Sequence, residues 1–196
     1  MMLSNLGEGQ NPSPRSIMKP ELLKLAELIA QRNKISEKIA AIVGRPAQVG
    51  HVGEFISSII FDIKLEESAT KKAIDGYFRT GTLAGKSVNV KWYGKQESTL
   101  DITPHLLPDY YLVMTGPKSP ASSSRGDVRP WLVKYVYLFD AENLVSDLSQ
   151  RNLKIGIATS VRQSYWKDAE IYPHQQNQNY IVTEEQKEML QIFGRD

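Results

Sequence analysis

Apolar residues first recur at spacings of three, four and their sums: Leu22, Leu25, Leu28, Ile29, Ile35, Ile39 and Ile42, with charges between them. That period predicts an amphipathic helix opening at Pro20, a favourable first-turn residue, and stopped by Gly44 and Pro46. Ahead of it, residues 1–18 are polar, carry Gly and Pro, and read as a loose tail. A second helix is expected from about Val49 to Phe61, its apolar face made of Val52, Phe55, Ile56, Ile59 and Ile60. Gly50 and Gly53 weaken its first turns.

The period then changes. Ile74–Phe78 is a short strand candidate, and a turn-rich stretch follows at Thr80–Gly85. Ser87–Tyr93 alternates strictly, with Val88, Val90 and Trp92 on one face and Asn89, Lys91 and Tyr93 on the other. Trp92 is expected in the core. Tyr110–Thr115, Trp131–Phe139 and Lys154–Thr159 read as further strands, with a short helix at Asn143–Gln150. Residues 116–130 form a Ser/Pro/Gly loop long enough to be functional or mobile. The series Thr183-Glu184-Glu185-Gln186 is a capping-box pattern that opens a last helix carrying Met189, Leu190 and Phe193. The expected layout is a tail (1–18), an N-terminal helix packing on the core or on a dimer partner (19–46), an α/β core (47–172) and a C-terminal extension with a helix (173–196).

Composition narrows the chemistry. The 196 residues suit a single domain that removes about 70% of the unfolded surface from water. The absence of Cys removes disulfide scaffolds, zinc ribbons and thiol catalysis. His51, His105 and His174 are far apart in sequence, so a metal would be held by oxygen ligands. No apolar run approaches the roughly 20 residues of a membrane span, and the N-terminus lacks the apolar stretch of a signal peptide. A soluble, cytoplasmic protein is expected.

Asn89 and Lys91, two apart on one strand, face the same way at about 7 Å. If Asp75 lies on the adjacent strand, a carboxylate, an amide oxygen and an ammonium converge, a grouping suited to a hard divalent cation beside a phosphate. The same residues have plainer readings: Asp75-Gly76 as a turn, Lys91 as a protective edge charge, Glu54 as a solvated helix carboxylate. Gly81–Ser87 is like a phosphate-binding loop but has three residues between its glycines and is followed by a strand, not a helix, so it is rejected. Arg125-Gly126-Asp127 is read as coincidence.

At Glu54, Asp75 and Lys91 the sequence resembles the PD-(D/E)xK nuclease superfamily, which has the restriction-endonuclease-like fold. Glu54 matches the helix acid, Asp75 the hairpin Asp and Lys91 the Lys of the triplet. Asn89 stands where the second acid belongs, and Ile74 replaces the nominal Pro. The match covers roughly residues 48–115. It implies an α/β restriction-endonuclease-like core with a central mixed β-sheet flanked by helices. The function implied is a magnesium-dependent endodeoxyribonuclease, with manganese as a substitute, of restriction or defence type. Asp75 and the Val90 carbonyl would hold the metal with Asn89 or Glu54, and Lys91 would stabilise the charge that develops on the phosphate. Asn89 removes one negative charge, which leaves open the alternative of a catalytically inactive module that binds nucleic acid or a protein.

Net charge is only +2, but the basic residues are clustered. Lys71, Lys72, Arg79, Lys86, Lys91 and Lys95 stand against Asp75 alone, and Lys118, Arg125, Arg129 and Lys134 against Asp127. With Tyr93, these two stretches are candidates for contact with double-stranded DNA, the rival being ordinary solvated faces. Arg162, Tyr165, Trp166 and Lys167 are a further candidate set. A homodimer cutting both strands fits the same reading.

Overall fold

The computed structural model describes residues 19–67, 73–119 and 128–195. The chain forms two compact units, residues 1–47 and 48–196. The first contains α1 (Pro20–Val43), which starts with Pro at its first turn and ends at Gly44, whose φ of 72° provides the left-handed cap.

The second unit contains α2 (Val49–Ile60), β1 (Ile63–Leu65), β2 (Gly76–Phe78), β3 (Ser87–Tyr93), β4 (Thr99–Leu100), β5 (Tyr110–Thr115), β6 (Tyr135–Asp140), α3 (Ala141–Gln150), β7 (Thr159–Ser160), α4 (Gln163–Ala169), β8 (Glu170–Tyr172) and α5 (Glu184–Ile192). Six strands make one mixed sheet in the order β1-β2-β3-β5-β6-β8. β3 and β5 are parallel and every other neighbouring pair in it is antiparallel. β4 and β7 form a separate two-stranded ribbon. The fold is thus mixed α/β, with a central mixed sheet flanked by helices.

Alternation gives the sheet two apolar faces. Val90, Leu112 and Leu138 lie in register on one, followed by Trp92, Met114 and Val136. α2 covers this face and comes so close that a Cβ on Gly53 would lie 3.2 Å from Trp92 Cβ. Ser57 sits one turn further on, with its hydroxyl 3.7 Å from Met114 Sδ. On the opposite face Tyr111, Val113, Tyr137 and Phe139 are buried with Leu144, Leu148 and Trp166. The Trp166 ring meets Tyr137 and Phe139 edge-on at 4.8 and 5.0 Å.

Parallel pairing of β3 and β5 requires a crossover. Residues 94–109 provide it without a helix, and Leu100 and Ile102 fill the core beneath it. Its end is tied to the start of β3. Asp109 Oδ2 accepts hydrogen bonds from Ser87 N at 2.8 Å and Ser87 Oγ at 2.6 Å, and Lys86 Nζ lies 3.0 Å from Oδ1.

Several expected strands are corrected. Lys154–Thr159 is not a strand: only Thr159 and Ser160 pair, because Thr159 Oγ1 closes a turn on Gly156 N at 2.8 Å and Ala158 takes a φ of 54°. The strand expected from Trp131 begins at Tyr135, and the one expected from Ile74 begins at Gly76. β1 and β8, three residues each, are too short to show a period, and α4 spans only seven. The Thr183 capping box forms as expected, and Gln186 also donates to Ile60 O at 2.8 Å, docking α5 on the end of α2.

The Asp109 tie gives a pH dependence. Burial pushes its carboxyl upward, but the Ser87 hydrogen bonds and the Lys86 ammonium outweigh burial and hold it below the ordinary carboxylate range. A carboxylate depressed in the folded state stabilises the fold above its unfolded pKa and loses that contribution as pH falls through the folded value. Asp109→Asn should therefore lower the melting temperature at neutral pH, and the gap to wild type should shrink below about pH 4. Thermal melts across pH check this; a gap that does not change with pH contradicts it.

Candidate active site

The site is built where the β2–β3 ladder stops. Gly76 pairs with Val88, and no strand residue of β2 reaches further along β3. Gly76 is required there, because a Cβ would lie 2.5 Å from Lys64 O on β1. Asp75, one residue before β2, continues the contact. Its amide donates to Val88 O at 2.9 Å, and its Oδ2 accepts from Val90 N at 2.7 Å. Asp75 therefore straddles Asn89. By strand alternation the Val90 carbonyl shares the same edge as its amide.

Asn89 is buried, with 4% exposure, and its Oδ1 has no hydrogen-bond partner. A buried amide oxygen left unsatisfied costs free energy, so its retention asks for a donor or a cation. Lys91 follows on the same face, half-buried, and among the described residues no hydrogen bond or ion pair engages its side chain. The Asp75 carboxylate, the Asn89 amide oxygen and the Val90 carbonyl are hard oxygen donors of the kind that magnesium or manganese takes. Together they bring one full negative charge. Among the described residues no group of three His, Asp or Glu converges to hold a metal.

The remaining expected residues are distributed differently. Glu54 is half-buried on α2, whose Gly53 packs against Trp92, so it belongs to the layer opposite Asn89 and Lys91. Tyr93 shares the Asn89 face, where its hydroxyl accepts from Asp101 N at 3.0 Å and burial pushes the phenol well above its ordinary value. It supports the crossover and is half-buried.

The described cations of the proposed DNA rim are largely paired with acids. Arg79 Nε bonds Asp62 Oδ1 at 2.6 Å, and Lys86 pairs with Asp109. Lys118 lies 3.3 Å from Glu170, and Arg129 holds both oxygens of Glu97 at 2.8 Å. Lys95 is half-buried and also engaged. Lys71, Lys72 and Arg125 lie outside the described residues. In the set around Arg162, Trp166 is corrected: at 1% exposure it is a core residue, not a contact surface.

Sequence reasoning missed a second buried polar centre. Glu170 is 3% exposed, and its carboxylate takes Lys118 Nζ at 3.3 Å and His174 Nδ1 at 2.8 Å. The separation of Glu170 and His174 by four residues was the only trace of it in the chain, and with β8 unrecognised nothing marked Glu170 as buried. Tyr111, next to Asn89 across the β3–β5 pairing, is also buried, and burial raises the pKa of its phenol.

Removing Asp75 and removing Asn89 should have opposite consequences for stability. Asp75→Ala strips the acceptor from the Val90 amide and should cost about 1–3 kcal/mol in denaturant unfolding without metal. Asn89→Leu replaces an unsatisfied polar group by an apolar one of similar size and should be neutral or stabilising. A loss of similar size in both variants would show that Asn89 has a structural partner.

No protein-family model matches this chain, and no curated protein matches it.

Proposed function

We propose that the chain is a metal-dependent DNA endonuclease of the PD-(D/E)xK type, with a restriction-endonuclease-like core. The observation that carries this reading is the Asp75 carboxylate bonded to the Val90 amide, next in the strand to Asn89, whose buried Oδ1 has no partner, with Lys91 on the Asn89 face two residues on. The order also supports it: a helix on one face of the sheet, an antiparallel pair ending at the site, then a parallel strand.

In this reading Asp75, Asn89 and the Val90 carbonyl would hold magnesium, which would supply charge neutralisation at the phosphate and acidify water there. Asp75 has two tasks, since one oxygen fixes the Val90 amide and so sets the height of the carbonyl beside it. The Lys91 ammonium stabilises the negative charge that grows on the phosphoryl oxygens in the transition state. Glu54 lies on α2, which covers the Trp92 face of the sheet.

A second reading rests on a specific observation. The donor set carries a single carboxylate, and Arg79, Lys86, Lys118 and Arg129 are matched by acids. Both features suit a catalytically inactive module that binds nucleic acid or a protein, with less positive field than a bare basic surface provides.

Nicking of supercoiled plasmid and of a varied linear DNA pool, by wild type and Lys91→Ala, separates the readings. The nuclease reading expects cleavage by wild type in magnesium or manganese, none in EDTA, and a drop of at least about 100-fold in Lys91→Ala, the order of magnitude of losing one transition-state charge contact. Equal cleavage by both proteins contradicts the assignment of Lys91. Salt-dependent DNA binding without cleavage of either substrate selects the inactive module.

A further inference from the structure

The longest helix among the described residues, α1, has 24 residues and none of them is buried. Leu25, Leu28, Ile35 and Ile42 are 51%, 52%, 58% and 71% exposed. Together with Arg32 and half-buried Ile39 they advance alternately by three and four residues, which is the a/d seam of a heptad repeat. Leu22 and Ile29 widen the stripe on one side, while Lys24, Glu27, Lys34, Glu37 and Lys38 lie off the seam.

A helix this long reaches about 36 Å, and in proteins most helical stability comes from packing of an apolar face. Leu22, Leu25, Leu28, Ile29, Ile35 and Ile42 each leave on the order of 100 Å² uncovered, which approaches the about 800 Å² per partner of a stable interface.

We propose that α1 pairs antiparallel with α1 of a second copy of this chain, making a homodimer. The seam is self-complementary in that direction. Antiparallel pairing sets a against d, so Leu25 meets Ile42 of the partner subunit, Leu28 meets Ile39 of the partner subunit and Arg32 meets Ile35 of the partner subunit. The two-fold axis falls between Asn33 and Lys34. Parallel pairing would instead stack the two Arg32 guanidinium groups within an apolar seam, an uncompensated like-charge contact. In the antiparallel pair each Arg32 lays its stem along Ile35 of the partner subunit and keeps its head in water. The helix dipoles also oppose.

Analytical ultracentrifugation of the full chain across a dilution series tests the pairing. Wild type should sediment as a dimer, and Leu28→Glu/Ile35→Glu should halve the mass while tryptophan fluorescence and near-UV circular dichroism of the core stay unchanged. Lys34→Glu, outside the seam, should remain dimeric. A wild type that stays monomeric at every concentration overturns the proposal, whether α1 then packs within its own chain or on anionic lipid vesicles. A dimer that survives the double Glu variant, or a trimer or tetramer, overturns it too. Because the chain has no Cys, mixed single-Cys variants report the direction. Leu25→Cys should cross-link to Ile42→Cys; preferential cross-linking of Leu25→Cys to itself rules out the antiparallel arrangement.

Discussion

The backbone amide of Val90 is the group around which the site is organised. β2 begins at Gly76, so among the described residues no strand pairs with this edge of β3 beyond Val88. The Asp75 carboxylate takes the Val90 amide at 2.7 Å. A buried amide needs an acceptor, and supplying it from a side chain brings a negative charge to a point where strand pairing would have brought none. The rest of the centre follows from position. Asn89 is the residue that Asp75 straddles, and Lys91 lies on the same face of the strand.

Keeping β2 short has its own structural basis. β1 approaches β2 so closely that only Gly fits at position 76, and Asp75 is the last residue before that close contact. On the other edge of β3 the parallel partner β5 pairs from Val88 to Tyr93, which keeps the strand straight through the site. Asn89 Oδ1 is the one buried side-chain polar atom of β3 without a hydrogen-bond partner among the described residues. Proteins retain such destabilising groups where function requires them, and Asn89 stands beside Tyr111 in an otherwise apolar layer.

Much of this was legible from local pattern. The strict alternation of Ser87–Tyr93 located β3 and assigned Asn89 and Lys91 to one face, and Trp92 is buried as its position implied. The capping box at Thr183 specified the start of α5. What alternation cannot give is which neighbour covers a face. Which face α2 covers depends on the Gly53–Trp92 approach, a contact between residues far apart in sequence. The pairing of Arg129 with Glu97, or of Lys118 with Glu170, is invisible for the same reason. Runs of like charge in the chain read as a basic surface, whereas the fold returns acids from distant segments to neutralise them. Lys154–Thr159 had the composition of a strand but lacked a partner along its length, and the Thr159 turn satisfied its backbone instead.

Binding of manganese to the Asp75–Asn89–Val90 centre is the direct test of the account. Electron paramagnetic resonance titration of manganese into wild type and Asn89→Leu counts bound ions without requiring a DNA substrate. The account predicts one site per chain in wild type, strongly weakened in Asn89→Leu while the fold is retained. Equal binding by both proteins, or none by wild type, would contradict it.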